Sequence, residues 1–304
     1  MRLSKQLFAQ LVRDDALGLA AELAYRFFLA IFPFFVFLAS VGAFFPSVFR
    51  LPNPARHFVE LLSQIMPPSA SEVFKPEVEH LIATTRPGVA SLAVLGAVLI
   101  ATSGTNAMIK ALNRAHGVDE TRPFVPRYLL AVAVTLVAGS AMTVAFLLFI
   151  EGWIFGAQAA ASLGFGAHFL ATIRTLYWPA VAVLLIAAMT ILYRAAPNVE
   201  LRVKWVIPGA IVFTIGWLIS TAVFAAYVQS YGSYRFTYGA LGGVVVLLLW
   251  LYLTGLFFIL GAELNDVVHD WFAPEEMEMQ RARIQEKTAR HFESWGLGPG
   301  HRAA

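Results

Sequence analysis

Apolar residues in this chain run in long blocks separated by brief charged stretches, a pattern that differs from the short alternations of a soluble core. At about 1.5 Å per helical residue, about 20 apolar residues cross about 30 Å of hydrocarbon. Six windows fit that length: Phe27 to Phe49, Val89 to Ile109, Tyr128 to Ile150, Leu176 to Tyr193, Val206 to Val228 and Leu241 to Ala262. The pattern predicts an all-α polytopic membrane protein, a bundle of six transmembrane helices. The second window is weakened by the polar run ATSGTN, and the fourth is short unless extended back through Arg174.

Other periodicities fill in the connections. Leu3, Leu7, Phe8, Leu11 and Val12 recur at helical spacing with Lys5, Gln6 and Arg13 between them. Residues 1–20 are thus expected to form an amphipathic helix, either lying on the inner membrane surface or packed against the bundle. The membrane domain is expected over 21–268. Within it, 51–87 forms an outer loop with two short amphipathic helices, since Phe58, Leu61, Leu62 and Ile65 follow the i, i+3, i+4, i+7 spacing before MPPSAS interrupts. The Gly-rich apolar run 153–169 reads as an interfacial or re-entrant connection. Residues 269–304 form a charged cytoplasmic tail, read after Pro274 as a solvated helix or a partly disordered segment.

Composition agrees with this picture. Hydrophobic residues make up 59% of the 304 and charged residues only 13%, about half the usual globular share of charge; the mean hydropathy is +0.69. Cysteine is absent, which excludes disulfides, thiolate metal sites and cysteine nucleophiles. The net charge of +3 is small, so the placement of the charges says more than their sum.

Lys and Arg crowd alternate segments. Fifteen fall in 1–13, 110–127, 194–204 and 281–302, whereas Arg50, Arg56, Lys75, Arg86 and Arg235 are the five between them. Arg26 and Arg174 stand inside or beside spans. The bias predicts that both termini are cytoplasmic. A cleaved leader is not expected, because Asp14, Asp15 and Glu22 interrupt its basic region and the first apolar run is too long.

A charge in the middle of a span costs about 2.5 to 3.5 kcal/mol on insertion scales, so each one needs a partner, water or a shallow position. With both ends inside, Glu22, Tyr25 and Arg26 lie at the inner mouth of the first span, Asn106 near the inner end of the second, and Glu263 and Asn265 at that of the sixth. The expectation is a cytoplasm-facing polar vestibule in which Arg26 is neutralised by Glu22, four residues away, or by Glu263. Taken singly, Arg26 can snorkel and the span-end groups can simply mark boundaries. At the outer side Glu151 and Arg174 are expected to form a clasp. Pro33, several residues into the first span, is a hinge position.

Signatures of catalysis are weak. The seven histidines show no metalloprotease spacing, and no phosphate-cradling loop, nucleophile elbow or paired-glycine fingerprint opens a helix. No cofactor or metal is expected, and the spread of basic residues over four segments follows from orientation without a nucleic-acid track.

Four segments together resemble one family: ELAYRFFLAIFP (22–33), IKALNRAHGV (109–118), LYRAAPNVELRVKWVIPGA (192–210) and YGALGGVVVLLLWLYLTGLFFILGAELN (238–265). They are similar to the YihY/BrkB family of bacterial inner-membrane proteins, once labelled ribonuclease BN. The resemblance runs from about residue 15 to 268, and its ending GAELN is the most specific part. It implies six spans with cytoplasmic termini, a virulence-factor label and links to export of envelope lipid or lipopolysaccharide, but no established catalytic residue. Tyr25, Pro33, Glu263 and Asn265 are matched positions, while Glu22 departs from the small residue expected there. The ribonuclease label fits poorly, since RNA hydrolysis needs metal ligands or an acid and base pair beside a phosphate track. The expected function is a carrier or flippase-like protein for a lipid or other amphiphile. The competing expectation is a non-transporting scaffold for envelope assembly.

Overall fold

The computed structural model describes residues 2–44, 102–136, 166–230 and 235–294, and every regular element among them is a helix. These are α1 (Arg2–Arg13), α2 (Ala16–Phe44), α3 (102–115), α4 (Phe124–Leu136), α5 (Gly166–Ala195), α6 (Val203–Ser230), α7 (Arg235–Phe272) and α8 (Pro274–Ser294). Two stretches are long and apolar enough to cross a bilayer, Val203–Tyr227 in α6 and Gly243–Phe272 in α7; Phe124–Leu136 and Val181–Ala195 are shorter apolar helices. The outer loop 51–87, most of the second window and most of the run 153–169 lie outside the described residues. So do Glu151 and the side chains of Pro33 and Arg174, on which the clasp and hinge rest. The backbone of α2 is helical through position 33.

Local chemistry sets the breaks between helices. Asp15 has φ 53° and caps α2, its carboxylate accepting from the Gly18 amide at 3.3 Å. Gly117 ends α3 with φ 60°, as the Gly117 amide bonds the Arg114 carbonyl and the Val118 amide the Asn113 carbonyl, each at 3.0 Å. That Schellman ending leaves His116 at the cap.

Helix α7 is the hub: α6 packs along it on one side and α2 on another, α5 packs against α6, and α1 and α8 both dock on α7. The α6–α7 crossing is tight because Gly209 and Gly261 face each other; a Cβ on Gly209 would collide with the Gly261 carbonyl oxygen. Asn265 seals the crossing, its side-chain oxygen accepting from the Gly209 amide at 2.7 Å. Tyr193 of α5, fully buried, donates to the Phe258 carbonyl at 2.8 Å.

Exposed apolar side chains line the outside. Ile207, Ile211, Ile215, Ile219, Val223 and Tyr227 recur every four residues along α6 and are all exposed. Such a ridge is disfavoured in water and suits a hydrocarbon solvent. At about 1.5 Å per residue the 38 residues of α7 extend about 57 Å, so one end outruns about 30 Å of hydrocarbon. Charged residues gather on its last turns. Within the charged tail, α8 is a largely exposed helix that rests against the end of α7 through buried Met277 and Ile284. Its apolar positions supply a docking face that its average polarity hides.

Candidate functional site at the polar end of the helices

Two polar clusters occupy this end. The first joins α2 to α3. Glu22 accepts from Arg26 Nε at 3.0 Å and from Lys110 Nζ at 2.9 Å. Its carboxyl is held below its ordinary range, chiefly by the Lys110 hydrogen bond and then by Arg26, against the opposing effect of partial burial. Arg26 and Glu22 are half-buried, Tyr25 is exposed, and Asn106 is half-buried one helical turn before Lys110. Arg26 thus finds its carboxylate on its own helix.

The second cluster surrounds Asp266 of α7, which is fully buried. Its two oxygens are bonded by Arg281 Nη2 at 2.8 and 2.9 Å, by His116 Nδ1 at 3.0 Å and by Gln10 Nε2 at 3.1 Å. One carboxylate therefore ties together α1, the end of α3, α7 and α8. Arg281 also reaches Asp270 and the His116 carbonyl. Beside this satisfied centre stand eight buried atoms with no hydrogen-bond partner among the described residues: both oxygens of Glu263, Asn265 Nδ2, His116 Nε2, both ring nitrogens of His269, Gln10 Oε1 and Trp205 Nε1. His269 stacks on Trp205 with centroids 5.5 Å apart, and its Nε2 is 3.7 Å from Glu276, beyond hydrogen-bond reach.

Of the six residues expected to line a vestibule, Glu22, Tyr25, Arg26 and Asn106 lie on accessible faces of α2 and α3, while Glu263 and Asn265 are buried in the packing of α7. Sequence reasoning missed Lys110, His116 and Arg281. His116 stood in the segment IKALNRAHGV, next to the glycine that ends α3, which was the available signal. Among the described residues no group of three or more His, Asp or Glu side chains is arranged to hold a metal ion.

A third feature is a groove of about 980 Å³ between the end of α5, the 196–202 connection and α8. Asn198 staples that connection to the loop after α3: its amide donates to Asn113 Oδ1 at 2.7 Å, and its side chain to Thr121 Oγ1 at 2.9 Å. Arg122 donates to the carbonyls of Ala196 and Pro197.

The family model of Virulence factor BrkB matches residues 7–285. The chain belongs to the BrkB family. Among BrkB relatives, the ribonuclease-like protein YfkH of Bacillus subtilis (strain 168) is 32% identical over 88% of this chain and 96% of its own length. UPF0761 membrane proteins of Alteromonas mediterranea and Tolumonas auensis are each 26% identical, covering 90% and 93% of this chain and 90% of their own lengths. No solved structure matches this BrkB family chain. With its two span-length apolar helices and relatives named as membrane proteins, it is a membrane protein.

Proposed function

We propose that this BrkB family protein is a six-span carrier of an amphiphile in the bacterial inner membrane, with the polar end of its helices facing the cytoplasm. The supporting observation is the set of unpartnered buried atoms around Glu263. Each buried polar atom without a hydrogen bond costs about 1 to 3 kcal/mol, and eight of them among the described residues lie toward one end of α7. A static helix lock has no use for that cost. A protein that opens this end satisfies the same atoms with water or with the polar head of a cargo. Arg26 and Asn106 line the approach, Glu263 and Asn265 the interior, and Pro33 is the proposed hinge.

A scaffold reading draws on one observation, the Asn265 bond across the Gly209–Gly261 crossing, which locks two helices together. Movement of labelled lipid between leaflets of reconstituted vesicles separates the two. The carrier reading expects Glu263→Gln and Arg26→Ala to slow movement at least tenfold while thermal unfolding in detergent stays cooperative. Movement unchanged by both, in folded protein, leaves the scaffold. Ribonuclease action is disfavoured, and the "ribonuclease-like" wording is the name of the Bacillus relative.

A further inference from the structure

We propose that the groove between the end of α5 and α8 is a binding site for the phosphate of an anionic lipid head group. The inference goes beyond the carrier reading and needs only that the end of α5 lies at the bilayer surface.

Charge balance is the first argument. Arg202 is neutralised by Glu276 at 3.0 Å, and Arg122 is occupied by two backbone carbonyls. Arg194, Arg283 and Lys287 line the same groove, are exposed, and have no carboxylate partner among the described residues. Arg283 and Lys287 are spaced i, i+4 on α8, where like charges repel along the helix. Glu200 is the one further carboxylate on the lining among the described residues, so three cations face one acidic group where two of them cost helix stability, and a bound anion reverses the sign of that cost.

Rigidity is the second. Gln280 donates to the Glu200 carbonyl at 3.0 Å and accepts from the Glu200 amide at 2.9 Å, as one strand would pair with another. On the opposite face of α8, Arg281 is anchored at Asp266 and Asp270. The cations of α8 are therefore held at a set distance from Arg194, and a guanidinium fork suits phosphate oxygens.

Position selects the source of the phosphate. Arg194 closes a helix whose preceding turns expose Ile191, Leu184 and Val183, so the groove begins where the apolar surface ends. Met279 adds an exposed apolar side chain at its rim. A phospholipid presents that combination, an anionic head above acyl chains. Nucleic acid would call for stacking aromatics beside the cations, and no aromatic side chain among the described residues lines this groove.

The test is native mass spectrometry of the full chain in a mild detergent, titrated with phosphatidylglycerol or with phosphatidylcholine. Selective retention of phosphatidylglycerol is expected. Arg283→Gln combined with Lys287→Gln should weaken it about 25-fold, about fivefold for each surface cation removed. Arg290→Gln, a change on the same helix outside the groove, should leave it unaltered. Cooperative thermal unfolding of the double neutral variant at the wild-type temperature in the same detergent separates loss of binding from loss of folding. Equal retention of the two lipids, or no effect of the double neutral variant, overturns the site. Displacement by inorganic phosphate beyond that caused by chloride at equal ionic strength assigns the groove to a soluble phosphate and overturns the lipid. Tighter binding of a single-stranded oligonucleotide through the same residues also overturns it. Lipid retention is read without any transport, so failure of the carrier reading leaves this result intact.

Discussion

Asp266 carries the heaviest burden of any single side chain described. A fully buried carboxylate costs several kcal/mol to desolvate, and here Arg281, His116 and Gln10 repay that cost from three different elements. Asp266→Ala strands a guanidinium and an imidazole, and is expected to destabilise the protein by about 3 to 5 kcal/mol in detergent unfolding. Combining it with Arg281→Ala should cost less than the two changes summed, because the second removes the charge stranded by the first. Additive costs would mean that the pair is not coupled. Glu22 is the weaker, surface counterpart, worth about 0.2 to 1 kcal/mol at its exposure. Its folded-state pKa lies below the ordinary 4.5, so its contribution is complete above 4.5 and fades as pH falls through the lower folded value. The stability gap between wild type and Glu22→Gln should therefore be flat at neutral pH and close on acidification below about 4.5. A gap that widens toward acid pH contradicts the pairing. The Arg26–Glu22 half of this cluster was legible because i, i+4 spacing is a property of the helix itself. The Lys110 bond to Glu22 and the His116 and Gln10 bonds to Asp266 were not: they join residues 88, 150 and 256 apart, and no periodicity records which helix ends meet.

At the scale of elements, apolar length was the legible quantity. The windows Val206 to Val228 and Leu241 to Ala262 fall inside α6 and α7, and the short fourth window extends back to Gly166 within α5. Their contacts were hidden, since α7 is apolar on every side and its pattern does not distinguish the face toward α6 from the face toward α2. Glycines mark the difference only once the backbones are in place. Gly104→Ala should stabilise by about 0.5 to 1 kcal/mol, the usual gain in a helix, because among the described residues the new methyl meets only the Phe27 ring at 3.5 Å. Gly209→Ala should destabilise by about 1 to 3 kcal/mol, because the atom in its path is backbone and cannot swing away. Parallel melting curves in one detergent give the comparison. Stabilisation by Gly209→Ala would mean that α6 and α7 do not cross at Gly209.

The arrangement of the whole molecule turns on where the chain ends. Gln10 from α1 and Arg281 from α8 bond the same Asp266 carboxylate, so the first and last helices described meet at one end of α7. A bilayer crossed by α7 must therefore have both on one side, whatever the number of spans between them. The concentration of Lys and Arg in the first, last and two intervening segments supports the cytoplasm as that side. The absence of cysteine makes this measurable with little background. Lys5→Cys and Arg290→Cys should resist a membrane-impermeant maleimide in intact cells and react after permeabilisation, whereas Ser69→Cys, in the loop expected outside, should react in both. Labelling of Lys5→Cys and Arg290→Cys in intact cells would invert the orientation and place the basic groove at the outer leaflet. Labelling of only one of them would break the shared contact at Asp266, since a single carboxylate cannot accept hydrogen bonds from both sides of a membrane.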